Sequence, residues 1–207
     1  MQRFAQVPVA PFALLAALLV TSLLLPARAH AEWVVTPPRP GQVGLALQGQ
    51  YGVLLDSGNI GKEFNQGPGL AVRLRYRMRY ERAMGLSFEG QQFDVREASS
   101  ADTASKNISL YLYGLDFYQM FGTRTKTTRW LGVGAGLAQF RRRLNDNEIA
   151  LGQDSDGAFV SAGAGTERFF WQSWALDLSG KYYAVFQNGH VNHDFQAAIG
   201  LIVYATY

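Results

Sequence analysis

Arg73, Arg75, Arg77 and Arg79 stand at every second position, a comb of guanidinium groups suited to pairing with carboxylates or phosphates. Glu89, Asp116, Glu167 and Asp177, with Lys181 as a fifth cation, fall on the strand parity that turns them toward this comb. The expected chemistry is a network in which five positive groups meet four negative ones. A second basic group, Arg141-Arg142-Arg143, suits phosphate, which guanidinium binds through paired hydrogen bonds.

Other reactive residue types are present without the spacing that would make a site. Asp146, Glu148, Asp154 and Asp156 share one segment, but not with the spacing of an EF-hand loop, so hydrated loop residues are expected there. His190 and His193 are ligand-spaced, yet two histidines do not complete a zinc site. A nucleophilic centre would need His193 beside a serine and a carboxylate, whereas Ser161 and Ser179 fall on the network's parity. No catalytic residue, cofactor or metal is assigned.

Strands must position these groups. Leu70, Val72, Leu74, Tyr76, Met78 and Tyr80 occupy one parity and Ala71 with the four arginines the other, which is a period of two. On a helix the same residues would leave no apolar stripe to bury. In a soluble sheet the arginines would face water; in a membrane barrel the apolar face meets lipid and the arginines a polar lumen.

The rest of the chain decides between these. Alternation begins at Gln42, and strands follow at Leu70 to Tyr80, from Gly85, at Ile108 to Phe121, Thr128 to Arg141 and Ala158 to Phe169, from Trp174, and from Asp194 to Tyr207. In the third strand the parity slips over Gln92 to Val95, which predicts a β-bulge or an early end. In the fourth both parities are apolar, and Tyr111, Tyr113, Leu115 and Phe117 are placed outward because this turns Asp116 inward. Asp56 to Pro68, Arg96 to Asn107 and Arg142 to Gly157 are long polar connections, while Glu81 to Met84, Gly122 to Thr127 and Phe170 to Ser173 are short. Long and short alternate, as in a barrel with long extracellular loops and short periplasmic turns. The loop Gln187 to His193 fits this least well. Tyr80, Phe121, Trp130, Phe169, Phe170, Trp171, Trp174 and Tyr207 gather near the short turns as one aromatic girdle, and Tyr51, Phe93, Phe140, Phe186 and Phe195 form the other. Gly132, Gly134, Gly136, Gly163 and Gly165 are expected to make room for the arginines.

Met1 to Ala31 reads as a secretory signal peptide: Arg3, an apolar run from Ala13 to Leu25, and small-x-small sites, with Ala29-His30-Ala31 preferred for cleavage over Ala27-Arg28-Ala29. The run is shorter than the about 20 residues of a spanning helix. Residues 32–41, with Pro37, Pro38 and Pro40, form a periplasmic tail, and residues 42–207 form one barrel domain. Of 19 Lys and Arg, Arg3 and Arg28 leave with the leader, so 17 face 16 Asp and Glu. That near-neutral chain has no basic excess for nucleic acid. Without cysteine it has neither disulfides nor a lipoprotein anchor.

Residues 42–207 resemble the eight-stranded outer-membrane β-barrel family that includes OmpA-like transmembrane domains, OmpX and opacity proteins. The resemblance rests on Trp130-Leu131-Gly132-Val133-Gly134-Ala135-Gly136-Leu137 and on an alternating last strand ending on an aromatic. It implies an all-β, eight-stranded antiparallel up-and-down transmembrane barrel, monomeric and in the outer membrane. It further implies Tyr207 as the signal read by the barrel assembly machinery, with periplasmic chaperones as partners in transit. Lipid and lipopolysaccharide are the surroundings, the latter touched by Arg141, Arg142 and Arg143, and function resides in the extracellular loops. Small barrels of this kind also include lipid A-modifying enzymes, but the His-x-Ser pattern of the deacylases is absent. A soluble lipocalin-like lipid carrier would carry polar residues where this chain has Leu, Val and Tyr.

Overall fold

The computed structural model describes residues 38–55, 60–95, 105–144, 147–150, 156–171 and 173–205. Strands β1 (Val43–Leu54), β2 (Gln66–Arg79), β3 (Arg82–Asp94), β4 (Ser105–Phe121), β5 (Thr127–Leu144), β7 (Asp156–Phe169), β8 (Trp174–Gln187) and β9 (His190–Tyr204) pair antiparallel with their neighbours. Pairing of β1 with β9 and of β4 with β5 closes them into a ring of eight. A four-residue strand, β6 (Asn147–Ala150), pairs only with the end of β5 and extends that hairpin beyond the ring.

Alternation determines what faces where. Along β1 every second residue is exposed and the others are buried. Between the two rims of the wall the exposed set is apolar, with Leu47, Leu70, Leu131, Val133, Leu137 and Ile199 each more than half exposed. The buried set includes Arg73, Arg75, Glu167 and Asp177, each at most 1% exposed. Such an inside-out distribution is unfavourable in water and favourable in lipid, where the closed ring also leaves no unpaired strand edge. Strands of 12 to 18 residues exceed the about 9–11 that cross the hydrocarbon layer, so they project beyond it.

Four sequence expectations change. β3 pairs with β4 in unbroken register from Arg82 to Asp94, and Phe93 continues the inward parity, so there is no slip there. The irregularity lies between Arg77 and Arg79, where β2 approaches its turn. The loop expected over Gln187 to His193 is a two-residue turn, Asn188-Gly189, with φ of 48° and 75°. Positive φ at both central residues is the geometry that Asn-Gly supplies to a tight hairpin. The long connection after β5 is in part strand, β6, and β2 begins at Gln66 instead of Leu70.

The end of the barrel opposite the short turns is filled with apolar side chains. Phe93, Ile108, Leu110, Leu112, Phe140 and Phe159 form its centre and are almost wholly buried. A short helix, α1 (Ile60–Glu63), folds the β1–β2 connection onto this cluster and buries Ile60 and Phe64 in it. Two contacts pin it there. The Ile60 backbone N–H donates to Asn192 Oδ1 at 3.1 Å, and Phe64 forms a bridge with Val95.

Candidate functional site

The arginine comb lies on β2, whose inward residues pair with carboxylates on neighbouring β3 and, across the lumen, on β7 and β8. Arg73 donates to Glu89 Oε1 from Nε at 3.1 Å and from Nη2 at 2.9 Å, and Nη1 donates to Ser179 Oγ at 3.3 Å. Lys181 Nζ lies 2.8 Å from Asp116 Oδ1 and 3.8 Å from Glu89 Oε1. Tyr183 and Tyr118 donate their hydroxyls to Glu89 Oε2 and Asp116 Oδ2, at 2.7 and 3.0 Å. Two cations and two carboxylates therefore close one balanced quartet.

Nearer the short turns a second quartet repeats the pattern. Arg75 pairs with Glu167 and, at 3.3 Å, with Asp177, while Arg77 Nη2 reaches Glu167 Oε2 at 2.6 Å. The Tyr204 hydroxyl accepts from Arg77 Nη2 at 3.0 Å and donates to Glu167 Oε1 at 2.9 Å. Tyr118 joins the quartets, because its ring lies 4.4 Å from the Arg75 guanidinium carbon while its hydroxyl holds Asp116. Burial of charge is tolerable only when partners satisfy it, and here four positive groups meet four negative ones.

Arg79 is not among them. It is exposed at the β2–β3 turn, because the pairing shift after Arg77 carries the backbone out of the inward parity. Its departure leaves four cations against the four expected carboxylates in the quartets, with Asp194 a further buried carboxylate outside them. The glycine expectation also changes in its particulars. A Cβ on Gly134 would collide with Asp116, one on Gly163 would come within 2.5 Å of Lys181 Cγ, and one on Gly165 within 2.5 Å of the Trp130 ring. The space goes to the arginines' partners, and Trp130 in turn lies 5.4 Å from Arg75.

Several lumen residues were not singled out from the sequence. Asp194 is wholly buried, with Gln196 Nε2 donating to its Oδ2 at 2.6 Å. Gln50 donates to Gln91 Oε1 at 3.0 Å, so an amide layer separates the charged quartets from the apolar mouth. Inward parity alone marked all of these positions. Trp130 and Phe169 sit inside the lumen at 1% and 3% exposure, and Phe93 and Phe140 inside the mouth, so none belongs to a girdle. Tyr80, Phe121, Phe170, Trp171 and Trp174 are exposed at the short-turn end, and Tyr51 and Phe186 at the other, with Phe195 half-buried.

At the mouth, Arg141 is exposed and its guanidinium lies 5.8 Å from the Tyr111 ring centre. The backbones of Arg142 and Arg143 pair with Ile149 and Glu148 of β6. Asp146, Asp154 and Tyr207 lie outside the described residues, and Asp156 is exposed. His193 stacks on Tyr182, with ring centres 5.7 Å apart, and accepts or donates a hydrogen bond to its hydroxyl. His190 is exposed beside the Asn188-Gly189 turn. Among the described residues no cluster of three or more metal-ligating side chains occurs. Ser161 and Ser179 face the lumen and are buried.

Solved structures share this architecture. Neisserial surface protein A aligns with a TM-score of 0.61 at 15% identity over 79% of this chain and 98% of its own. OprG of Pseudomonas aeruginosa aligns at 0.57 and 13% over 83% and 99%. The N-terminal barrel of OprF from Pseudomonas aeruginosa aligns at 0.56 and 12% over 81% and 100%. At these identities the likeness is one of fold. Among curated proteins none matches the chain in sequence. The family model described as the outer membrane protein beta-barrel domain matches residues 13–202, so the chain belongs to that family of outer-membrane barrels.

Proposed function

We propose that this member of the outer-membrane barrel family is a non-conducting, non-enzymatic monomer. Its work, beyond holding shape in the envelope, is surface interaction through the extracellular loops. The observation that carries this reading is the filled lumen: two ion-paired quartets, an amide layer and an apolar mouth occupy the interior of an eight-stranded ring, which is only wide enough for side chains. Membership in the family and the longer connections after β1, β3 and β5, with Asn188-Gly189 the one tight turn at their end, support short turns in the periplasm and the mouth outside.

On this orientation Arg141 stands at the outer rim, with Arg142 and Arg143 following it along β5. There they would meet lipopolysaccharide phosphates, which guanidinium groups bind well. The barrel assembly machinery would read the end of the last strand, including Tyr207, after chaperoned transit and cleavage of the leader near Ala31.

Heat-modifiable gel mobility of the outer-membrane fraction, followed by planar-bilayer recording, tests the reading. The expected result is a mobility shift on boiling and no stepwise conductance. Discrete channels from the folded species would overturn the filled lumen as a functional statement. Replacing Arg141, Arg142 and Arg143 by Ser should lower lipopolysaccharide co-purification without altering the mobility shift.

A further inference from the structure

The short-turn end carries an unbalanced charge that the lumen does not use. Arg39, Arg79, Arg82, Arg124, Lys126 and Arg168 are exposed there and Arg129 is half-buried, while Glu81 is the one carboxylate outside the lumen at this end among the described residues. Apart from Arg39, which precedes β1, the cations follow one arc of the rim. Arg129 stands opposite Phe121 and Arg168 opposite Thr127, so they follow neighbouring strands, and Arg79, Arg82, Arg124 and Lys126 lie in or beside the two turns that precede them.

Between the β2–β3 and β4–β5 turns this arc is concave. A cleft of about 500 Å³ is lined by Arg79, Arg82, Arg124, Tyr80 and Glu81, with threonines of the second turn at its base. The β2–β3 turn is tied to the end of β4, since the Met120 N–H donates to the Glu81 carbonyl at 2.8 Å. The Arg124 guanidinium lies 6.0 Å from the Tyr80 ring centre, which holds it toward the cleft. Three guanidinium groups around a preformed hollow are suited to a phosphodiester. Arg82, Arg129 and Arg168 also fall on the outward, lipid-facing parity, at the level where exposed Phe121, Phe170, Trp171 and Trp174 mark the membrane boundary.

We propose that this cleft and its flanking arc bind the headgroup of an anionic phospholipid in the inner leaflet of the outer membrane. The proposal rests on the orientation given above, with the short turns in the periplasm. A lipid is favoured over a soluble anion because cations and aromatic rings share one boundary, so headgroup and acyl chains are met by adjoining surfaces. A zwitterionic headgroup adds its own ammonium to an already cationic site, which disfavours it.

The test is native mass spectrometry of the purified full-length barrel in detergent, titrated with phosphatidylglycerol and phosphatidylethanolamine of identical chains. The expected result is about tenfold preferential retention of phosphatidylglycerol, falling with added salt. R79S/R82S/R124S should abolish the preference, R79K/R82K/R124K should keep most of it, and K62S, at the opposite mouth, should leave it unchanged. Equal retention of both lipids by the parent chain, or preference surviving the triple serine change, would overturn the proposal. Binding to purified cell-wall sacculi without lipid preference would overturn it in favour of the wall polymer. Heat-modifiable mobility of each variant reports folding separately, so a folded barrel without lipid preference refutes the cleft alone. Labelling of a cysteine placed at Thr125 in intact cells by an impermeant reagent would refute the orientation instead.

Discussion

The charged middle of the lumen and its apolar mouth are built by the same inward positions of the same strands, yet they hold the wall by opposite means. β3 contributes Glu89 to one and Phe93 to the other, with Gln91 between them. β4 contributes Asp116 below and Leu112, Leu110 and Ile108 above. The ring fixes the volume to be filled, and either chemistry fills it provided each is complete. A charged layer fails when one partner is lost, because the other remains buried and unpaired. An apolar layer fails when a side chain shrinks and leaves a cavity.

This contrast predicts different costs. Glu167→Gln removes the carboxylate that Arg75 and Arg77 share and should lower unfolding stability in urea by about 3–5 kcal/mol. Arg75→Ala should likewise lower the thermal transition in detergent, and an unchanged transition would show that the charged layer does not brace the wall. Phe64→Ala, at the mouth, should cost about 3 kcal/mol through its cavity. Tyr183 touches both layers, through Glu89 and Phe159, but Glu167 and Phe64 share no partner, so Glu167→Gln and Phe64→Ala should add to within about 0.5 kcal/mol, and strong coupling in a double-mutant cycle would break the comparison. Gly189→Ala touches neither layer and should cost only about 1 kcal/mol, from strain at a φ of 75°.

Parity made most of the wall legible. It gave eight strands, the short turns, the inward facing of Asp116 and the strands that carry the paired charges, because a period of two admits no intermediate facing. It could not say which inward residues would be apolar neighbours. Phe93 looked like a slipped strand because an aromatic at an inward position seemed out of place, and Leu110 and Leu112 were ambiguous since both parities of β4 are apolar there. Ile60 and Phe64, four residues apart in an otherwise polar connection, were the readable trace of α1, a helical spacing set inside loop chemistry. Asn188-Gly189 was a direct hairpin signal overlooked beneath two histidines. Arg79 was misplaced because a register shift near a turn leaves no mark in the residue pattern.

The span of the ion pairs along the chain sets an order of events during biogenesis. Arg75 is 92 residues from Glu167 and 102 from Asp177, Arg77 is 90 from Glu167, and the partners of β2 in the second quartet come from β7 and β8. Early strands can neutralise Arg73, through Glu89 of β3, but not Arg75 or Arg77. A partly assembled sheet that entered the bilayer would carry bare guanidinium groups with it, and only the arrival of the late strands removes that penalty. The quartets therefore act as a checkpoint on closure. They favour keeping the growing sheet's polar face in water until β9 is ready to meet β1.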